Sequence, residues 1–182
     1  MQTEIIIAGF GGQGVLFAGM LLSYSAMDYG LEVTWIPSYG PEMRGGTANC
    51  TVIISDEEIG APMVSHPTVG MAFNRPSLDK YEGVVKAGGF LVVNSSMVDR
   101  PVKRTDVTAI VLPASEIAER IGDKRLTNMV MLGALLANLP VIPVEALERA
   151  ISEHTPARHH RFIPLNLRAI RAGAEYGVEK VK

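Results

Sequence analysis

The sequence predicts an α/β fold: a three-layer α/β/α arrangement around a mostly parallel sheet. Three observations carry this. An apolar, β-branched run, Glu4-Ile5-Ile6-Ile7-Ala8, feeds a glycine cluster, Gly9-Phe10-Gly11-Gly12-Gln13-Gly14, and an apolar helical pattern follows from Val15. Strand-like and helix-like segments then alternate along the chain, the pattern of a layered α/β domain. Finally, 182 residues, 47% of them hydrophobic and 20% charged, suffice for one proper core but not for two full domains. The expected unit is a single domain over residues 1–182, with a helical C-terminal tail over 157–182.

The elements follow in order. Gly9, Gly11 and Gly14 match the G-x-G-x-x-G spacing, which needs a strand before it and a helix after it. Gly9 suits a sharp exit from the strand. Gly11 suits close approach of backbone amides to a ligand, and Gly14 close packing of helix on strand. The first helix runs over residues 12–28 on a 3.6-residue period. Glu32–Ile36 is a second strand, stopped by Pro37. A loop rich in glycine and proline follows, Ser38-Tyr39-Gly40-Pro41-Glu42-Met43-Arg44-Gly45-Gly46. Asn49–Ile54 is a strand, and a polar turn over 55–60 followed by Pro62–Val64 suggests a hairpin that makes the sheet mixed. Thr68–Phe73 is a short strand, Asn74 to Lys86 a helix with Pro76 in its first turn, Phe90–Asn94 a buried strand and Val107–Leu112 another. Pro113–Gly122 is a short helix. Thr127-Asn128 caps a uniformly apolar helix, Pro143 begins the next, and a last one spans residues 162–176.

The chemistry is framed as much by exclusion as by motif. Net charge is −2, which argues against nucleic acid as the main partner. A single cysteine, Cys50, leaves no intramolecular disulfide and no cysteine cage for an iron–sulfur cluster or zinc. With no basic residue or helix start beside it in sequence to lower its pKa, Cys50 reads as a small buried residue. No signal peptide is evident, and no apolar run reaches the ~18 residues of a membrane span, so a cytoplasmic protein without membrane contact is expected. Adjacent His159 and His160 do not share a helix face, and no metal site is expected there; a solvated or partner-facing basic hinge is. The Gly-Lys-Ser/Thr of a phosphate-binding ATPase loop is absent, as is a nucleophile elbow. A nicotinamide enzyme needs an acid at the end of its second strand to hold ribose hydroxyls, and Ile36-Pro37-Ser38 stands there.

What remains is an anion-suited edge. The amides of Gly11, Gly12 and Gly14, with Gln13, lie at the start of a helix whose N-terminus is partially positive. Arg44 and Gly45 should face them from the second loop, since loops at the carboxyl ends of parallel strands share one rim. Arg44 could equally be neutralised by Glu42. Asn128 reads either as a hydrogen-bonding residue of a first helical turn or as a contact at the sheet edge. No catalytic residue set is visible.

Four stretches carry a resemblance: Ile7 to Val15, Pro37 to Gly46, Thr127-Asn128-Met129, and Pro164-Leu165-Asn166-Leu167-Arg168-Ala169. Together they resemble the γ subunit of 2-oxoacid:ferredoxin oxidoreductases, in the form seen in 2-oxoglutarate and branched-chain 2-oxoacid members. The resemblance covers nearly the whole chain in order. It implies a complex that decarboxylates a 2-oxoacid, 2-oxoglutarate being preferred, on thiamine pyrophosphate, passes electrons through iron–sulfur clusters to ferredoxin, and releases an acyl-CoA. It implies α, β and δ subunits as partners, which carry the thiamine and cluster motifs. This chain would bind no cofactor firmly itself; its glycine loop would meet coenzyme A phosphates or a partner loop. The alternative is a free-standing nucleotide-binding oxidoreductase.

Overall fold

A computed structural model describes residues 1–39 and 46–176. Six strands form one sheet: β1 (Gln2–Phe10), β2 (Glu32–Tyr39), β3 (Thr47–Ser55), β4 (Val69–Ala72), β5 (Phe90–Asn94) and β6 (Thr108–Leu112). Their order is β2-β3-β1-β4-β5-β6. β1, β4, β5 and β6 are parallel neighbours, while β3 runs antiparallel to both β1 and β2, so the sheet is mixed. The antiparallel strand therefore pairs with β2 and β1 instead of forming a hairpin with Pro62–Val64, which is not a strand.

Alternation along each strand sorts the side chains onto two faces. Ile5, Ile7, Cys50, Val52, Ile54, Met71, Val92 and Ile110 face the larger core, built with α1 (Val15–Asp28), α3 (Ala114–Ile121), α4 (Thr127–Asn138), α5 (Val144–His154) and α6 (Ile163–Ala174). Ala72, Leu91 and Val93 face a smaller core with Val98, Val107 and Leu78 of α2 (Arg75–Tyr81). Helices thus lie on both faces, but very unequally. α4 is the keystone: every residue from Thr127 to Leu136 is buried. It meets α6 at a crossing of two glycines. A β-carbon on Gly133 would strike the Ile170 carbonyl, and one on Gly173 the Val130 carbonyl, so the helices touch backbone to backbone.

Several boundaries differ from expectation for identifiable reasons. Pro37 does not stop β2, because β2 is an edge strand and a missing N–H costs nothing on the open side. α1 begins at Val15 and not at residue 12, since Gly12 and Gly14 have φ of 98° and 72°, outside the right-handed helix region. α2 ends at Tyr81. Asn74 caps it by accepting from the Ser77 amide at 3.0 Å, and buried Glu82 then turns to accept the Lys103 and Arg104 amides of the segment crossing above.

Candidate functional site

The carboxyl ends of β1, β2, β4, β5 and β6 and the start of β3 make one rim. Phe10 pairs with Thr47 and Tyr39 with Ala48, so the chain leaves β2 and enters β3 beside the glycine loop. Arg44 and Gly45 lie outside the described residues. Gly46, the end of their loop, accepts a hydrogen bond from the Gly11 amide at 2.9 Å. Gly12 and the return of the second loop therefore share an edge.

The loop's own amides divide into used and unused. The Gly11 amide is committed to Gly46, and the Gln13 amide to the Phe10 carbonyl at 3.1 Å. The Gln13 side chain folds inward: its Oε1 accepts from the Phe10 amide at 2.7 Å and from Asn74 Nδ2 at 3.0 Å. Among the described residues, the Gly12 and Gly14 amides donate to no protein group, and the first turn of α1 carries no acid. The first turn of α1 itself therefore supplies no charge to compensate the positive helix end.

Gly9 and Gly14 do not act as the spacing suggested. Gly9 lies within β1, where a β-carbon would press on Gln13 Oε1, Val15 and Phe73 at 2.7–2.9 Å; it makes room rather than a turn. Gly14 packs against α4, not the strand: its carbonyl accepts from Asn128 Nδ2 at 3.2 Å, and a β-carbon there would collide with that amide. Asn128 Oδ1 accepts from the Met129 amide at 3.0 Å. It is both a first-turn residue and a tie to the glycine loop.

Two cations at this rim escaped the sequence reading. A cleft of about 260 Å3 is lined by Gly12, Gln13, Met97, Ser115, Lys124, Arg125 and Thr127. On the other side of the loop, one of about 280 Å3 is lined by Phe10, Gly11, Gly12, Phe17, Gly46 and Thr47. Lys124 and Arg125 sit in the single 3-10 turn preceding α4. Arg125 Nη2 is 2.6 Å from Asp123 Oδ2, and the Arg125 hydrogen bonds hold the Asp123 carboxyl below its usual range. The signal available was their position three and two residues before Thr127-Asn128. Beneath this edge, fully buried Asn94 donates to Ser115 Oγ at 3.0 Å and accepts from the Ser115 amide at 3.3 Å, pinning the start of α3 to β5.

The dinucleotide reading fails on topology. In a nucleotide-binding β-α-β unit the second strand lies beside the first, so its terminal acid reaches the ribose. Here β3 stands between β1 and β2, which leaves β2 two strand spacings from β1, roughly 9–10 Å, instead of one. Cys50 is fully buried, its Sγ donating to the Val15 carbonyl at 3.7 Å; burial pushes the thiol up to about 11. His159 and His160 are exposed, and His160 Nε2 bonds the Thr155 carbonyl at 2.9 Å. Among the described residues, the grouping with metal-ligand spacing is elsewhere, at exposed Asp28, Glu153 and His154.

The family profile described as pyruvate ferredoxin/flavodoxin oxidoreductase matches residues 4–176. The chain belongs to that family. Among its relatives, the 2-oxoglutarate synthase subunit KorC of Methanothermobacter marburgensis is 40% identical over 189 residues, covering all of both chains. The ketoisovalerate oxidoreductase subunit VorA of Methanothermobacter thermautotrophicus is 41% identical over 182 residues. That match takes in 100% of this chain but only 38% of VorA. Among solved structures, the keto/oxoacid ferredoxin oxidoreductase γ subunit of Geobacter sulfurreducens superposes with a TM-score of 0.85 at 31% identity. It covers 97% of this chain and 96% of its own. For this member of the pyruvate ferredoxin/flavodoxin oxidoreductase family, the glycine rim described above is the candidate contact edge. Among the described residues, no helix is long and apolar enough to cross a membrane.

Proposed function

We propose that this chain, as one domain over residues 1–182, is the γ-type subunit of a 2-oxoacid:ferredoxin oxidoreductase, of the 2-oxoglutarate kind. The carrying observation is the end-to-end match to KorC. VorA shares the sequence over only 38% of its length, whereas KorC matches end to end, as a separate subunit would. The complex would use thiamine pyrophosphate, iron–sulfur clusters and coenzyme A in the cytoplasm. The thiamine and clusters would sit in α, β and δ partner chains, with ferredoxin as acceptor. This chain completes the assembly and performs no chemical step.

Its glycine rim is the proposed contact for the coenzyme A phosphates. The Gly12 and Gly14 amides, which donate to no protein group among the described residues, and a first turn of α1 without an acid support this, with Lys124, 3.4 Å from Glu119, at the adjoining cleft. Arg44 and Gly45, outside the described residues, are proposed as further contacts from the sequence motif. Gly11 shapes the loop through its bond to Gly46, and Gln13 through its bond to Asn74, so neither needs to touch the ligand.

The test is reconstitution. The chain alone should show no 2-oxoglutarate-dependent viologen reduction, and the assembled complex should show it only with coenzyme A. Robust turnover by the isolated chain refutes the supporting role. A β-carbon at Gly12 meets nothing within 4 Å but is strained at φ 98°. Gly12→Leu should therefore raise the KM for coenzyme A in an intact complex by roughly tenfold. An unchanged KM removes the coenzyme A assignment.

A further inference from the structure

From His154 to Ala174 the chain carries Arg158, Arg161, Arg168 and Arg171, three histidines and no acid, in a protein of net charge −2. All four arginines are exposed. Arg171 is held by a carboxylate, with Nε 2.6 Å from Glu148 Oε1. Arg158 Nε donates to His159 Nε2 at 3.2 Å and Arg161 lies over the Phe162 ring at 4.7 Å, but among the described residues Arg158, Arg161 and Arg168 make no ion pair. This basic run borders an apolar cleft of about 310 Å3, where Phe17, Leu126, Phe162 and Leu165 meet Arg125 and His159. Phe17 is 44% exposed and joins this cleft to the one on the Gly46 side of the glycine loop. The carboxylate lining it, Asp123, is already held by Arg125.

Building on the γ-subunit reading, we infer that this face docks an acidic segment of a partner subunit, which places a large apolar side chain in the Phe17–Phe162 cleft. Charge complementarity sets the partner's sign: exposed, unpaired guanidinium groups attract carboxylates and steer association. The apolar cleft beside this run, with Arg125, Asn128, His159 and Asn166 in its wall, has the form of an interface anchor, a pocket ringed by polar groups. The overall negative charge makes a nucleic-acid strand the poorer occupant, since its phosphates would be repelled outside this patch.

The experiment uses the full chain titrated onto the complex lacking only this subunit, with affinity read by interferometry. Wild-type affinity should fall steeply from about 50 to about 500 mM salt, because exposed charges more than a Debye length apart are screened. The variant R158E/R161E/R168E, checked for an unchanged melting temperature, should bind roughly 100-fold more weakly and lose that salt dependence. Phe162→Ala should weaken binding roughly tenfold and keep it. A triple variant that binds like wild type overturns the proposal while leaving the γ-subunit reading intact. A wild-type chain that binds no partner overturns both. Micromolar binding of single-stranded RNA that disappears in the triple variant overturns it in favour of nucleic acid.

Discussion

Gly133→Ala should unfold this protein at a distinctly lower temperature, and the sign is informative. In an ordinary helix interior, alanine is favoured over glycine by about 1 kcal/mol. Here the added methyl would lie well inside contact distance of the Ile170 carbonyl, carbon and α-carbon, which belong to the backbone of α6 and cannot rotate away. To reach an ordinary contact, α6 must shift by more than 1 Å. That shift loosens Ala169 and Ile170, both 0% exposed, from a helix whose residues Met129 to Leu132 and Ala134 to Leu136 are at most 1% exposed. Overpacking of rigid cores costs about 1–3 kcal/mol, and a backbone clash belongs at the upper end. For a chain of this size, about 3 kcal/mol lowers Tm by roughly 6–12 °C. Circular dichroism melts and urea midpoints measure it. Gly173→Ala, aimed at the Val130 carbonyl from the other side, should behave alike. The double variant should cost less than the sum, since one displacement of α6 relieves both clashes. A Gly133→Ala protein as stable as wild type, or more so, refutes the backbone-contact argument.

Other expectations concern single groups. Burial alone would raise the Glu4 carboxyl, but hydrogen bonds from Lys86 at 2.8 Å, Thr68 at 2.6 Å and Gln2 at 2.9 Å outweigh it and hold it at about 2. Because the folded value lies below the ordinary 4.5, its contribution is present above that pH and disappears as pH falls toward 2. The contribution is at most about 3 kcal/mol, so Glu4→Gln should flatten the acid limb of a stability–pH curve, and an unchanged limb contradicts the assignment. Cys50, buried and raised to about 11, should resist a thiol reagent at neutral pH in the folded protein and react promptly in denaturant. Rapid labelling without denaturant would show it is not packed as described. Gln13→Ala removes the acceptor for the Phe10 amide and Asn74, and should cost about 1–2 kcal/mol in urea unfolding. If only coenzyme A affinity moves and stability does not, Gln13 is a ligand contact and not a brace.

Features set by neighbours along the chain were legible in the order of amino acids. Period-two and 3.6-residue patterns located β1, β4, β5, α1 and α4, glycine and asparagine marked their ends, and the loop motifs carried the family resemblance. A lone cysteine with no activating neighbour was legible as inert, because burial follows residue type. Pairing partners were not legible, since strand registry is chosen by contacts distant in sequence. Only the tertiary structure inserts β3 between β1 and β2, and that insertion removes the dinucleotide geometry the glycine spacing suggested. The same non-local folding occupies the Gly11 amide with Gly46, turns Gln13 onto Asn74 and brings Lys124 to the rim. It also sets Gly133 against Ile170, a contact between helices that no local pattern encodes.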